Sequence, residues 1–189
     1  MSASKRDDIL RAASDLFSHY GFRAITVDRV AAEAHATKVT VYYHFPTKTD
    51  LMVAVLQDRH QCVLRDLRQG LQDCADVESR LKAIFDWHAR WYRSDDFAGC
   101  LFEKALAEFS QDDGLVRQVA VDHKNALLTL LRDVLIERYP RRQATELART
   151  ILILLDGATA SAWALQQMDA ARRSWTVAEM LLQREAKGV

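Results

Sequence analysis

The sequence predicts an all-α protein, and three observations carry that prediction. Apolar residues recur at helical spacing along every long segment, and the chain beyond Asp76 contains no strand signal. Only 6 Gly and 2 Pro occur in 189 residues, so little interrupts a helix. Helix-capping residues, several with an acid three positions later, precede the apolar stripes. About nine helices are expected on these signals. Hydrophobic residues make up 49% and charged residues 28%, as in a globular chain with ample core.

In chain order, Ser4 with Asp7 opens a first helix whose stripe is Ile9, Ala12, Ala13, Leu16, Phe17 and Tyr20, and Gly21 stops it. Thr26 caps a second helix. Ile25 and Val30 stand at staple positions around it, and Val27, Val30, Ala31 and Ala34 form its apolar side. His35-Ala36 makes the turn, and Thr37 caps a third helix. There Val41 and Phe45 point inward. At about 100° per residue the opposite direction holds Val39 and Tyr43, with Thr40 and Tyr42 on the flanks and Lys38 at the tip. Thr47 with Asp50 is a capping box for a fourth helix, running from Lys48 to about Cys74 with Leu51, Val55, Cys62, Val63, Leu67 and Leu71 inward.

Two aromatics and an aliphatic on the outer side of a short helix suit a partner better than plain solvent. No acidic residue lies between Glu33 and Asp50, whereas Lys38, His44 and Lys48 do, so the partner implied is a polyanion. Short side chains (Thr37, Val39, Thr40) let a helix enter the major groove of DNA. Hydroxyls there reach base edges, and apolar groups touch the thymine methyl. Tyrosine hydroxyls and lysines at the rim suit phosphate oxygens. The candidate DNA-binding residues are Thr26, Thr37, Lys38, Val39, Thr40, Tyr42, Tyr43, His44 and Lys48, and Lys5 and Arg6 could add phosphate contacts.

The run TVYYHFPTKTDL, together with Ile9, Ala12, Ala13, Phe17, Gly21, Thr26, Val30, Ala31 and Ala34 upstream, resembles the DNA-binding domain of the tetracycline-repressor (TetR-type) family of transcriptional regulators. His35 stands where that family usually has Gly, so a non-Gly residue must take a left-handed conformation. The resemblance implies a three-helix helix-turn-helix DNA-binding domain in residues 1–48 and a helical ligand-binding and dimerisation domain in residues 49–189. It also implies a homodimer on palindromic double-stranded operator DNA, released by a small-molecule effector, with repression the commoner mode of action.

Beyond the fourth helix, Leu81, Ile84, Phe85, His88, Trp91 and Tyr92 define one helix, and GCLFEKALAEF a short one after Gly99. Asp112 or Asp113 caps a long helix ended by Pro140, and another runs from about Arg142 to Met168. Thr176 with Glu179, and Trp175 with Met180, read as the capping box and staple of the last. Ile151 to Leu155 is apolar around the whole circumference, and Gly157, Ala158, Ala160, Ser161, Ala162 and Ala164 follow. The chain's own core covers one side of such a helix, and a second copy of the chain, together with the final helix, is the natural cover for the other. The alternative is the central core helix of a monomer. Candidate effector-binding residues by helical phase are His88, Trp91, Cys100, Glu103, His123, Thr159 and Trp163, with Trp87 as a further aromatic wall.

Formal net charge is zero, but residues 1–48 carry seven bases (Lys5, Arg6, Arg11, Arg23, Arg29, Lys38, Lys48) against five acids (Asp7, Asp8, Asp15, Asp28, Glu33). Three cysteines at no metal-like spacing fit reduced thiols, the N-terminus lacks a signal-peptide core, and the run Ile151–Leu155 is too short for a membrane span. A cytoplasmic protein with no cofactor, no metal site and no membrane partner is expected. No phosphate-cradling loop, nucleophile elbow or His-Glu-x-x-His pair is present, so the chain reads as no enzyme. Two alternatives stand beside the effector-responsive regulator. One is a redox- or metal-sensing regulator on the same scaffold, through Cys100 or through His88, Glu103 and His123. The other is an all-helical enzyme or interaction module whose head no longer binds DNA.

Overall fold

A computed structural model describes residues 4–109 and 114–187, with side chains as far as Glu185. Among the described residues it has nine α-helices and no strand, so the chain is all-α. They are α1 (Lys5–Tyr20), α2 (Val27–Glu33), α3 (Lys38–His44), α4 (Lys48–Gly70), α5 (Val77–Trp91), α6 (Leu101–Glu108), α7 (Gly114–Leu135), α8 (Arg141–Leu165) and α9 (Ala170–Lys187).

The described helices gather into two compact units. One takes the chain up to Cys62 together with Cys100–His123, and the other takes Val63–Gly99 and the chain from Lys124 onward. Packing therefore groups residues differently from a functional division at 48/49. In the first unit a single core joins Ile9, Ala13 and Phe17 of α1, Val30 of α2 and Val41 of α3 to Leu51 and Val55 of α4. The same core includes Leu101, Phe102 and Ala105 of α6 and Val116 and Ala120 of α7. In the second unit α9 packs on α5 and α8. Leu81, Ile84 and Phe85 meet Leu131, Leu135, Ile151, Leu155, Trp175 and Leu182 in its larger core, and a smaller one holds Tyr92, Ala158, Ala162, Ala170 and Ala171.

Local chemistry explains where the first helices begin and end. Ser4 Oγ accepts from the Asp7 N–H and Asp7 accepts from the Ser4 N–H, a reciprocal box. Gly21 ends α1 at φ +81°, a conformation that disfavours a side chain. Thr26 and Thr37 accept from Arg29 N–H and Thr40 N–H, and Thr47 and Asp50 cap α4 reciprocally. His35 sits at φ +47°, so the helix-turn-helix turn is left-handed at a non-Gly residue.

Several expectations need correction. Helix α4 stops at Gly70 rather than near Cys74, and α8 stops at Leu165, closed by Gln166 in a left-handed conformation. Helix α9 starts at Ala170, so Thr176 lies inside it, donating its hydroxyl to the Arg172 carbonyl, and caps nothing. Trp175 is buried while Met180 is exposed, so the two form no staple. The expected cap at Asp112 or Asp113 lies outside the described residues. Among those described, α8 is the one helix long and apolar enough to cross a bilayer, although the run Ile151–Leu155 alone falls short. Its inner side, Ile151, Leu155, Ala158 and Ala162, is buried in the second unit.

Candidate functional site

The outer face of α3 has the arrangement its periodicity predicts. Val41 and Phe45 are buried, while Val39 is 79% and Tyr43 83% exposed. Tyr42 is exposed at the flank, and Thr40 and His44 are half-buried, with the His44 ring 5.1 Å edge-on to Tyr43. Arg6 of α1 lies 5.1 Å over the Phe45 ring, and Lys5 Nζ is 3.4 Å from the Ala34 carbonyl, so the two basic residues that open α1 brace the helix pair. Arg29 lies 4.3 Å over the exposed ring of Tyr20.

The polar candidates are more engaged than spacing suggested. Lys38 Nζ lies 2.9 Å from Asp28 Oδ2 of α2, and that carboxylate raises the lysine pKa. Thr37 and Thr40 share a hydroxyl–hydroxyl bond of 2.8 Å besides the cap. Thr26 is the α2 cap. Lys48, at the first position of α4, is half-buried with Nζ 3.5 Å from the Arg23 carbonyl. Burial lowers its pKa, opposed by the negative charge of Glu108 and reinforced by Arg23.

Glu108 is the residue that sequence reasoning missed. It lies at the end of α6, and its carboxylate accepts from the Phe22 N–H (3.0 Å) and the Arg23 N–H (2.7 Å). Its carbonyl accepts from Arg23 Nε at 2.9 Å. A Cβ on Gly21 would meet Glu108 Oε1 at 2.5 Å, so that glycine serves both the φ and the approach of the carboxylate. Lys104, one turn earlier, donates to the Ser18 carbonyl. Phe109 then packs edge-on against Phe22 at 5.7 Å with Arg23 over its ring. The partners lie more than eighty positions apart in sequence, and no local signal announces such a clamp.

The effector candidates fall into two groups. His88, Trp91, Thr159 and Trp163 belong to the second unit, Cys100, Glu103 and His123 to the first. In the second unit Trp87, His88, Trp91, Tyr92, Phe97 and Trp163 form a chain of ring contacts 5.0 to 6.5 Å apart. Tyr92 Oη lies 2.9 Å from Thr159 Oγ1, which itself donates to the Leu155 carbonyl, so the Tyr92 hydroxyl is the donor. Gly99, at φ +82°, lies under Trp163, where a Cβ would come 3.1 Å from the indole. In the first unit the buried His123 ring stacks on Phe102 at 3.6 Å, with Nδ1 3.1 Å from His60 Nδ1. Cys100 and Glu103 are half-buried at the start of α6. A groove of about 480 Å³ between α8 and α9, lined by Pro140, Gln143, Leu147, Thr150, Leu181 and Glu185, contains none of the candidates. Among the described residues no group of three His, Cys, Asp or Glu side chains is placed to hold a metal ion.

His88 carries a pH consequence. It is buried, and its Nδ1–H donates to the Ile84 carbonyl at 2.8 Å. Burial pushes its pKa down from 6.5 to about 4, against smaller raising effects from that bond and from Asp156. The folded state therefore binds this proton less well than the unfolded chain. The stability it provides is complete above pH 6.5 and drains away as the pH falls toward 4. Across that window the wild type should lose about 3 kcal/mol more unfolding free energy than His88→Gln, a difference that urea titrations at several pH values would measure.

Comparison with known proteins is consistent with this geometry. Residues 9–55 match the family model described as bacterial regulatory proteins, tetR family. The HTH-type transcriptional activator FasR of Mycolicibacterium smegmatis is 35% identical over 82 residues, 43% of this chain and 37% of that protein. The HTH-type transcriptional regulator RutR of Escherichia coli K12 is 34% identical over 75 residues, 40% of this chain and 35% of that one. The matched stretches thus span little more than a third of those relatives. Over nearly the whole chain the fold is that of a TetR-family transcriptional regulator from Streptomyces coelicolor, with a TM-score of 0.89, 24% identity and 95% of each chain covered.

Proposed function

Through residues 9–55 the chain belongs to the tetR family of bacterial regulatory proteins, and on that premise we propose that it is a DNA-binding transcriptional regulator of the cytoplasm, probing the major groove with α3. The observation that carries this reading is the outer face of α3, where Val39, Tyr42 and Tyr43 are exposed within a stretch free of acidic residues. Residues 1–48 act as the DNA-binding domain, with Thr26, Thr37, Lys38, Val39, Thr40, Tyr42, Tyr43, His44 and Lys48 at the interface. Lys48 is a phosphate contact in this proposal, since it is the first residue of α4, where a helix N-terminus favours an anion, and its side chain is only half-buried. Against a duplex selected from a random pool by this protein, Lys48→Ala should weaken binding to all sequences alike. It should also flatten the plot of log K against log salt by about one unit. An altered sequence preference at an unchanged salt slope would remove Lys48 from that role.

The working form in this proposal is a homodimer on a palindromic operator, because two-fold symmetry in the protein asks for two-fold symmetry in the site. Exposed side chains along α8 and α9 support it. Ile153 is 70% exposed, and Gly157, Ala160 and Ala164 continue its side of α8, while Val177 and Met180 are exposed on α9. Two such faces pair into a four-helix bundle in which the small residues allow close approach. Ala162 and Ala158 do not belong to this face, since both are buried in the second unit.

Residues 49–189 complete the regulator as its effector and dimerisation part. The aromatic chain of the second unit, with His88 and Thr159 as polar points, supports a small and largely apolar effector that acts by releasing DNA. Release requires tighter binding to the state whose heads do not match the operator, since equal affinity for both states shifts nothing. By reciprocity, operator DNA must weaken effector binding by the same factor. Helix α4, which contributes residues to both compact units, is the proposed lever. Repression is the proposed mode of action.

A further inference from the structure

We infer that α3 reads sequence chiefly through thymine C5-methyl groups held against Val39 and Tyr43, an inference that rests on the DNA-binding reading above. The argument starts from what the polar side chains of the helix are already doing. Lys38 is paired with Asp28 at 2.9 Å, so a neighbouring negative charge offsets its own. Thr37 and Thr40 are joined hydroxyl to hydroxyl, and Thr37 also accepts from the Thr40 N–H. With one hydroxyl hydrogen committed to their mutual bond, the two side chains keep a single donor between them. Thr26 accepts from the Arg29 N–H as the α2 cap. Discrimination by bidentate hydrogen bonding to base edges calls for Arg, Lys, Asn, Gln, Asp or Glu side chains, and α3 has only the engaged Lys38.

Val39 and Tyr43 stand in contrast as its two most exposed side chains. They are four residues apart, hence on one side of the helix and about 6 Å apart along its axis. That is close to two base-pair steps of about 3.4 Å each. The major groove offers one apolar group for such side chains, the methyl of thymine. The acid-free stretch from Ala34 to Thr49 suits a polyanion better than a second protein surface. Each half-site should therefore place thymines two steps apart, one against the Val39 isopropyl group and one against the Tyr43 ring.

The test uses the full-length protein and duplexes selected with it from a random pool. Each thymine of the selected duplex is replaced in turn by uracil, which deletes the methyl and leaves every hydrogen-bonding atom in place. Wild type should lose about fourfold in affinity at each of two thymines per half-site, the weight of one buried carbon group, and nothing elsewhere. Val39→Ala should bind the thymine and uracil duplexes equally at the first of these positions and still discriminate at the second. Equal binding of wild type to the all-thymine and all-uracil duplexes would overturn methyl readout and leave the DNA-binding reading intact. A selection that enriches no duplex at all would overturn the DNA-binding reading, and this inference with it.

Discussion

Glu108→Ala should loosen the α1–α2 turn by about 3 kcal/mol, because two N–H groups lose a charged acceptor at once and one of them belongs to the fully buried Phe22. The effect is local, so its clearest readout is amide hydrogen exchange. Protection at Phe22 and Arg23 should fall roughly a hundredfold, while amides of α8 and α9 keep theirs. Glu108→Gln retains one acceptor oxygen and should lose about half of that protection on a logarithmic scale. Because the turn sets the direction in which α2 leaves α1, DNA affinity should fall for all sequences together. Unchanged protection in Glu108→Ala would show that the carboxylate merely rests on the turn.

Ala160→Trp is expected to have a still larger effect on assembly. The residue lies on the exposed side of α8 in line with Ile153 and Gly157, so the chain itself has room for the indole. In the proposed symmetric helix pair the substitution occurs twice. Overpacking of about 1–3 kcal/mol per site then raises the dimer dissociation constant by between thirtyfold and ten-thousandfold. Sedimentation should show a monomer at micromolar concentration with unchanged helical content, and operator affinity should fall with it. Ala162→Trp serves as a contrast, because that residue is fully buried in the second unit and its replacement should unfold the unit before it separates two copies. A wild type that sediments as a monomer at micromolar concentration would rule out the dimer.

Much of the head was legible because its signals are local. Ser4 with Asp7, Thr26, Thr37, and Thr47 with Asp50 each cap a helix within three residues, so residue identity and spacing suffice. The outward position of Val39 and Tyr43 followed from helical phase alone. The errors fall where local signals mislead or are missing. Thr176 and Glu179 have the spacing of a capping box but sit inside α9, where the threonine bonds back to Arg172 instead. The break between α8 and α9 has neither Gly nor Pro, and it is made by Gln166 in a conformation that few side chains favour. The small residues after Ile153 were recognised as a contact stripe, but their division into buried Ala158 and Ala162 and exposed Gly157, Ala160 and Ala164 needed the packing of α9. Glu108 could not be read at all, because its partners are set by the tertiary fold. The effector candidates followed aromatic and histidine positions, and the fold divides them between two compact units.

The core of the first unit also has a consequence for synthesis on the ribosome. Ile9, Phe17 and Val41 share that core with Leu101, Phe102, Val116 and Ala120, so the amino-terminal helices emerge long before their packing partners. A nascent chain that ends near residue 62 presents the apolar sides of α1, α2 and α4 with part of their cover still untranslated. Closing the intervening loop sets an entropic threshold that capping alone does not overcome, and contacts of such long sequence separation slow folding. The head reaches its final packing only when translation has passed Ala120. The part of the chain proposed to contact DNA is thus among the first to be made, yet it is finished only after α6 and the start of α7 have followed.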